Sequence, residues 1–204
     1  MDTLESIVVG IALSAACGFR IFVPPLVISV AAIVGHLPLS SGFEWVGTYP
    51  ALIAFALATG IEIAAYYIPL VDNLLDTVAT PTAIAVGTAI AAAVFPNTDP
   101  LWQWTLAALA GGGSAGIIQA LTGFTRLSST ALTVGVGNAV VTTIESFGAF
   151  ILSLLALLMP FFAISLVAGL LIVSLSKGIQ VLVRRRQQHN TNYDDTVLQG
   201  KRET

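Results

Sequence analysis

The sequence predicts an all-α, polytopic transmembrane bundle of about six to eight helical segments, some of them short or broken. Two observations predict it. Charged residues make up 9% of the chain and hydrophobic ones 56%, with a mean hydropathy of +0.90, whereas a soluble domain is about 25% charged. Apolar runs near the ~20 residues that cross about 30 Å of hydrocarbon also recur from end to end. Too few charges remain to solvate a globular surface, which excludes a soluble enzyme or a disordered chain. A net charge of −3 leaves no basic excess to neutralise nucleic-acid phosphates.

The first apolar run, Ile7 to Gly35, is interrupted by Gly18, Arg20, Pro24 and Pro25. It is too long for one upright helix and too short for two full spans. Either it is one broken, tilted helix or two half-helices meeting at Gly18 to Pro25. Irregular backbone at membrane depth is tolerated only inside protein or against a cavity, so this break points to a site. Cys17, the one cysteine, reads as a small helix residue rather than a lipidation site. The acidic opening Asp2 to Glu5 lacks the positive start of a secretory signal, so the N-terminus is expected to be retained.

The next spans are Tyr49 to Ile68, closed by Pro69, and a shorter one over Thr82 to Phe95 between Pro81 and Pro96. Asp72 and Asp76, four apart, share one face of a short amphipathic interfacial helix ahead of Pro81. Trp102 to Thr122 and Leu127 to Ile144 make two further spans, the former opening on the interfacial Trp102 and Trp104. Pro160 divides Phe147 to Val183 into a short helix and a full span ending near Lys177. Gly111 to Gly116 is a small-residue patch for tight helix packing; no Lys-Ser/Thr follows it, so it is no phosphate-binding loop.

The transmembrane domain is read as residues 1–183, followed by a polar, disordered cytoplasmic tail over 184–204. Six of the eight basic residues follow Ser176, and the positive-inside bias therefore sets the C-terminus in the cytoplasm of a multi-pass protein of the inner membrane.

Between Ser6 and Ser176 the charged residues are Arg20, Glu44, Glu62, Asp72, Asp76, Asp99, Arg126 and Glu145. A charge at the bilayer centre costs on the order of 3 kcal/mol, so these invite functional explanation. Gly10 to Arg20 resembles Gly116 to Arg126: each begins Gly-Ile, carries Gly-Phe near its end and closes on Arg. A duplication into halves 1–95 and 96–183 would make Arg20 and Arg126 symmetry mates. Each arginine, set at the start of a new apolar run, can combine with a helix N-terminus to bind an anion. Ser128, Ser129 and Thr130 add hydroxyls in the first turn after Arg126, and Asn138 adds a polar lining. Glu62, deep in its span with Tyr66 one turn on to hydrogen-bond it, joins Asp72, Asp76 and Glu145 as candidates for coupling a proton or cation. Asn138 and Glu145 are seven apart, on one face.

Gly18-Phe19-Arg20-Ile21-Phe22-Val23-Pro24-Pro25, then Glu62 with Pro69-Leu70-Val71-Asp72 and Asp76, then Gly137-Asn138 leading to Glu145, resemble the bacterial membrane-protein family known as domain of unknown function 4126. The resemblance runs to about Leu182 and implies architecture and a set of residues, but no activity. It also implies a further acidic residue between the Glu62 and Asp72 positions, where this chain has Tyr66 and Tyr67.

Two function classes follow. One is a small transporter or flippase-like protein for an anionic or lipid-linked substrate, with Arg20 and Arg126 holding the anion. The other is a membrane scaffold or assembly subunit whose charges form internal ion pairs. An enzyme is not expected, since no nucleophile stands near a base. Neither a metal nor a cofactor is expected, for want of a His or Cys cluster. Membrane lipids are the expected partners. Gly/Ala-rich faces leave homo-oligomerisation open.

Overall fold

A computed structural model describes residues 2–133, 136–176 and 180. All its regular elements are helical: α1 (Thr3–Cys17), α2 (Val23–Ile33), a 3-10 turn (Glu44–Gly47), α3 (Tyr49–Ala65), α4 (Pro69–Val94), α5 (Pro100–Leu106), a π-helical stretch (Ala107–Gly112), α6 (Gly113–Thr133) and α7 (Asn138–Leu158). A further apolar helix, α8, spans Pro160–Ser176. Leu74–Val94, Pro100–Thr133 and Asn138–Leu158 are long and apolar enough to cross a membrane, and four shorter apolar helices accompany them.

The first apolar run forms two half-helices. α1 ends at Cys17 and α2 begins at Val23 with Pro24 and Pro25 in its first turn, where a missing backbone N–H costs no hydrogen bond. Both halves are open at the same end of the bundle. Ile7 and Ile11 of α1, and Phe43 beyond α2, pack on Ala91, Ala92 and Phe95 at the C-terminal end of α4. Ser40 donates its backbone N–H to the Ala93 carbonyl at 2.7 Å and its hydroxyl to the Phe95 carbonyl. The segment therefore enters from one end, turns at residues 18–22 inside the bundle and returns.

α1 is the centre of the core, with Val9, Ala12, Leu13, Ala15, Ala16 and Cys17 all fully buried. Small residues let neighbours close on it. The Ser14 hydroxyl donates to the carbonyls of Gly10 and, across to α4, Gly87, each at 2.7 Å. A Cβ on Gly87 would lie 2.6 Å from the Ala115 side chain, so the small residues here are required by close helix approach.

Three expected boundaries are corrected. Pro81 does not separate two helices: α4 runs through it, so Asp72 and Asp76 lie on the first turns of a long helix rather than on a separate interfacial one. Proline is tolerated inside membrane helices because freed backbone groups can be re-satisfied by neighbouring groups. The stretch Leu127 to Ile144 is not one span. The preceding helix continues from Pro100 to Thr133 as a 34-residue unit, and α7 starts at Asn138 after a turn. A π-helical stretch, Ala107–Gly112, lies inside that unit. The third correction concerns the Pro160 break. A break at Pro160 is present, but the helix before it is not short: α7 runs 21 residues over Asn138–Leu158, and α8 is described over Pro160–Ser176. Lys177 and the tail 184–204 lie outside the described residues.

Candidate functional site

The turn at residues 18–22 projects into a buried group of charges drawn from five parts of the chain. Its centre is Arg126 on α6, which is 2% exposed. Its Nε donates to Glu145 Oε1 at 3.2 Å and its Nη2 to Glu145 Oε2. Its Nη1 donates to Asp72 Oδ1 at 2.6 Å and lies 3.6 Å from Asp76 Oδ1. The planar guanidinium fork suits such a bidentate carboxylate contact.

Arg20, in the turn itself, is 1% exposed. Nε donates to the Ser146 hydroxyl at 3.0 Å, and Nη2 donates to the Thr142 carbonyl at 3.0 Å and lies 3.4 Å from Glu145 Oε2. Nη1 is buried with no hydrogen-bond partner among the described residues. Glu145 is thus shared between the two arginines. Both guanidiniums also sit over the Tyr66 ring, Arg20 at 4.3 Å and Arg126 at 3.9 Å from its centroid, within cation–π range.

Glu62 on α3 does something different. Its Oε1 accepts the backbone N–H of Ile21 at 2.8 Å and its Oε2 that of Phe22 at 3.0 Å. These N–H groups precede α2 and would otherwise be orphaned at a helix start. A carboxylate also complements the positive end of the helix dipole. Glu62 therefore holds the break in place.

Asn138, at the start of α7, donates through Nδ2 to Asp72 Oδ2 and to Thr130 Oγ1, each at 2.9 Å. Its Oδ1 is buried without a partner among the described residues, as are Asp76 Oδ1 and Thr142 Oγ1. Glu145 lies seven residues into α7, and Arg126 seven before the end of α6. At 1.5 Å per residue the cluster is about 10 Å inside those helix ends. Asp76 is its most accessible carboxylate, with 25% of its side chain exposed.

A model of the family described as "Domain of unknown function (DUF4126)" matches residues 7–177. The chain belongs to the DUF4126 family. No curated protein and no solved structure matches it. The match spans every charged residue of the cluster, and together with the three long apolar helices it fits an integral membrane protein.

Among the residues that the sequence singles out, this DUF4126 chain gathers Arg20, Glu62, Asp72, Asp76, Arg126, Asn138 and Glu145 into one place. Ser128 is not part of that group. Arg126 lies inside α6, not at the start of a helix, so Ser128 and Ser129 are not in a first turn. The Ser128 hydroxyl donates back to the Phe124 carbonyl at 2.9 Å, and Thr130 is the hydroxyl that reaches the cluster. Tyr66 takes the two arginines rather than hydrogen-bonding Glu62. The sequence reading named Thr130 but missed Thr142 and Ser146. Thr142 sits four residues from Asn138 and three from Glu145, so the helical period could have found it. Among the described residues no group of three or more His, Cys, Asp or Glu forms a metal site.

Proposed function

We propose that this DUF4126 protein is a small transporter for an anionic substrate, whether a free metabolite or the head group of a lipid, coupled to uptake of a proton or cation by its buried carboxylates. One observation carries the reading: two guanidiniums face three carboxylates in one buried network, Arg20 and Arg126 against Asp72, Asp76 and Glu145. An unbalanced charge away from water is costly unless something compensates it. A proton or cation restores the balance, and its arrival and departure is what a coupled carrier needs. The re-entrant turn that carries Arg20 supports the same reading, because broken segments commonly form substrate and ion sites in transporters.

A scaffold would use the same residues as internal ion pairs. Such pairs hold a bundle best when charges match and every donor is used, and here the Arg20 Nη1 donor has no hydrogen-bond partner among the described residues. The reading is tested by electrometry on proteoliposomes adsorbed to a solid-supported membrane. A rapid drop in pH is expected to give a transient charge displacement with the parent and none with Asp76→Asn. A parent that gives no displacement at any pH would sink the coupled-transport reading and favour the scaffold.

A further inference from the structure

We propose that Arg20 Nη1 and the Thr142 hydroxyl form the subsite for one monovalent oxyanion group, filled when Asp76 has taken up a proton. This rests on the coupled-transport reading and names the substrate chemistry and the order of events.

The two arginines are not equally free. Arg126 spends all three nitrogens on Asp72, Asp76 and Glu145. Arg20 is oriented by Ser146, the Thr142 carbonyl and Glu145 through Nε and Nη2, and Nη1 remains as an unused, buried donor. Thr142 is fully buried, and its hydroxyl is also unused among the described residues. Its carbonyl accepts from Arg20 Nη2, so the residue that carries this hydroxyl is in contact with the guanidinium. A charged N–H and a hydroxyl are donors suited to an oxyanion such as a carboxylate, sulfonate or phosphodiester.

Charge then sets the order. With Glu62 counted, the cluster already holds more carboxylates than its two guanidiniums, so an oxyanion entering it would bury a further uncompensated charge. Around Asp76 stand Arg126 on α6, Glu145 on α7, Arg20 in the turn, Tyr66 at the end of α3, and Asp72 on its own helix. Its pairing to Arg126 at 3.6 Å is looser than that of Asp72 at 2.6 Å, and it is more exposed than either Asp72 or Glu145. A proton from the aqueous phase onto Asp76 removes one of those negative charges. An oxyanion on Arg20 then restores the charge of the empty state. The site therefore carries the same charge with both proton and anion as with neither, and the coupling is one proton per anionic charge. By linkage, each binding event favours the other equally. While Asp76 starts ionised, anion affinity rises about tenfold for each unit of pH lowered.

The test is a nitrate titration of the protein in lipid nanodiscs, weakly buffered, followed by calorimetry and a pH dye. Nitrate is a monovalent oxyanion that does not itself titrate near neutrality. The parent is expected to bind nitrate and take up close to one proton for each nitrate bound. Asp76→Asn, which mimics the protonated acid, is expected to bind with no proton uptake and with an affinity independent of pH. Thr142→Val keeps the side-chain shape and is expected to weaken nitrate about tenfold with the melting temperature unchanged. Nitrate binding without proton uptake in the parent would overturn the proposal, as would undiminished binding to Thr142→Val. Absence of nitrate binding in a parent that still shows the pH-jump displacement would remove the anion subsite and leave coupled transport standing. Absence of both would remove the two together.

Discussion

Two segments of this chain share a pattern and end differently. Gly10 to Arg20 and Gly116 to Arg126 both run from Gly-Ile to Arg through a Gly-Phe pair. The first stops being helical at Cys17 and turns back; the second continues as α6 to Thr133. What separates them is what meets their ends. Glu62 takes the Ile21 and Phe22 N–H groups and makes the break tolerable, whereas no proline or buried carboxylate interrupts α6 beyond Arg126. As a result the first arginine rides on a turn with a donor to spare, and the second sits rigidly on a helix, spent on carboxylates. Similar sequence thus yields one arginine that clamps and one that is available.

The largest effect should fall on the clamp. Arg126→Ala leaves Asp72 and Glu145 buried without their strongest partner, and should cost about 3–5 kcal/mol in reversible unfolding from mixed micelles. Arg20→Gln should cost less, about 1–3 kcal/mol, because Glu145 keeps Arg126. Equal losses would break the distinction between the two arginines.

The two Gly-Phe glycines sharpen the contrast in sign. A Cβ on Gly18 would lie 2.6 Å from both the Ala115 carbonyl oxygen and Ile118 Cβ, while Gly123 has nothing within 4 Å. Gly18→Ala should therefore destabilise by about 1–3 kcal/mol through overpacking. Gly123→Ala should stabilise by about 0.5–1 kcal/mol, since glycine is a poor helix residue. Thermal unfolding of the pair in one detergent checks both signs.

Glu62→Gln addresses the break itself. A glutamine offers one acceptor oxygen where the carboxylate offers two, so one of the two N–H groups is orphaned. A cost of about 1–3 kcal/mol is expected, together with faster amide hydrogen exchange at Ile21 and Phe22. Unchanged exchange there would mean that Glu62 does not hold the turn. The smallest effect belongs to Tyr66. Tyr66→Phe keeps the ring under both guanidiniums and should be near neutral, while Tyr66→Leu should lose about 1–2 kcal/mol.

Much of this was legible in the sequence because charge is so scarce in it. Against an apolar background Arg20, Glu62, Asp72, Asp76, Arg126 and Glu145 stood out by type alone. Gly18 and the Pro24-Pro25 pair marked the broken segment by backbone chemistry. The pairing was not legible. Nothing local says that Arg126 meets Asp72, 54 residues away, or that both arginines share Tyr66. Those contacts depend on how α3, α4, α6 and α7 cross. Pro81 misled because the rule that proline ends a helix is a rule for water, where a lost hydrogen bond can be replaced by solvent. In an apolar setting the helix is the way to keep the remaining bonds. Ser128 and Ser129 misled because Arg126 was expected at a helix start, and the position of a helix end is the least local property of the pattern.

The central claim is that Asp76 is the group in the buried network that accepts a proton. Infrared difference spectroscopy between neutral and mildly acidic pH reads this directly, because a protonated carboxyl in apolar surroundings has its own carbonyl stretch, resolved from those of ionised groups. The account predicts that this band appears in the parent on acidification and is missing in Asp76→Asn, with the amide bands unchanged. A parent with no such band, or the same band in Asp76→Asn, would contradict it.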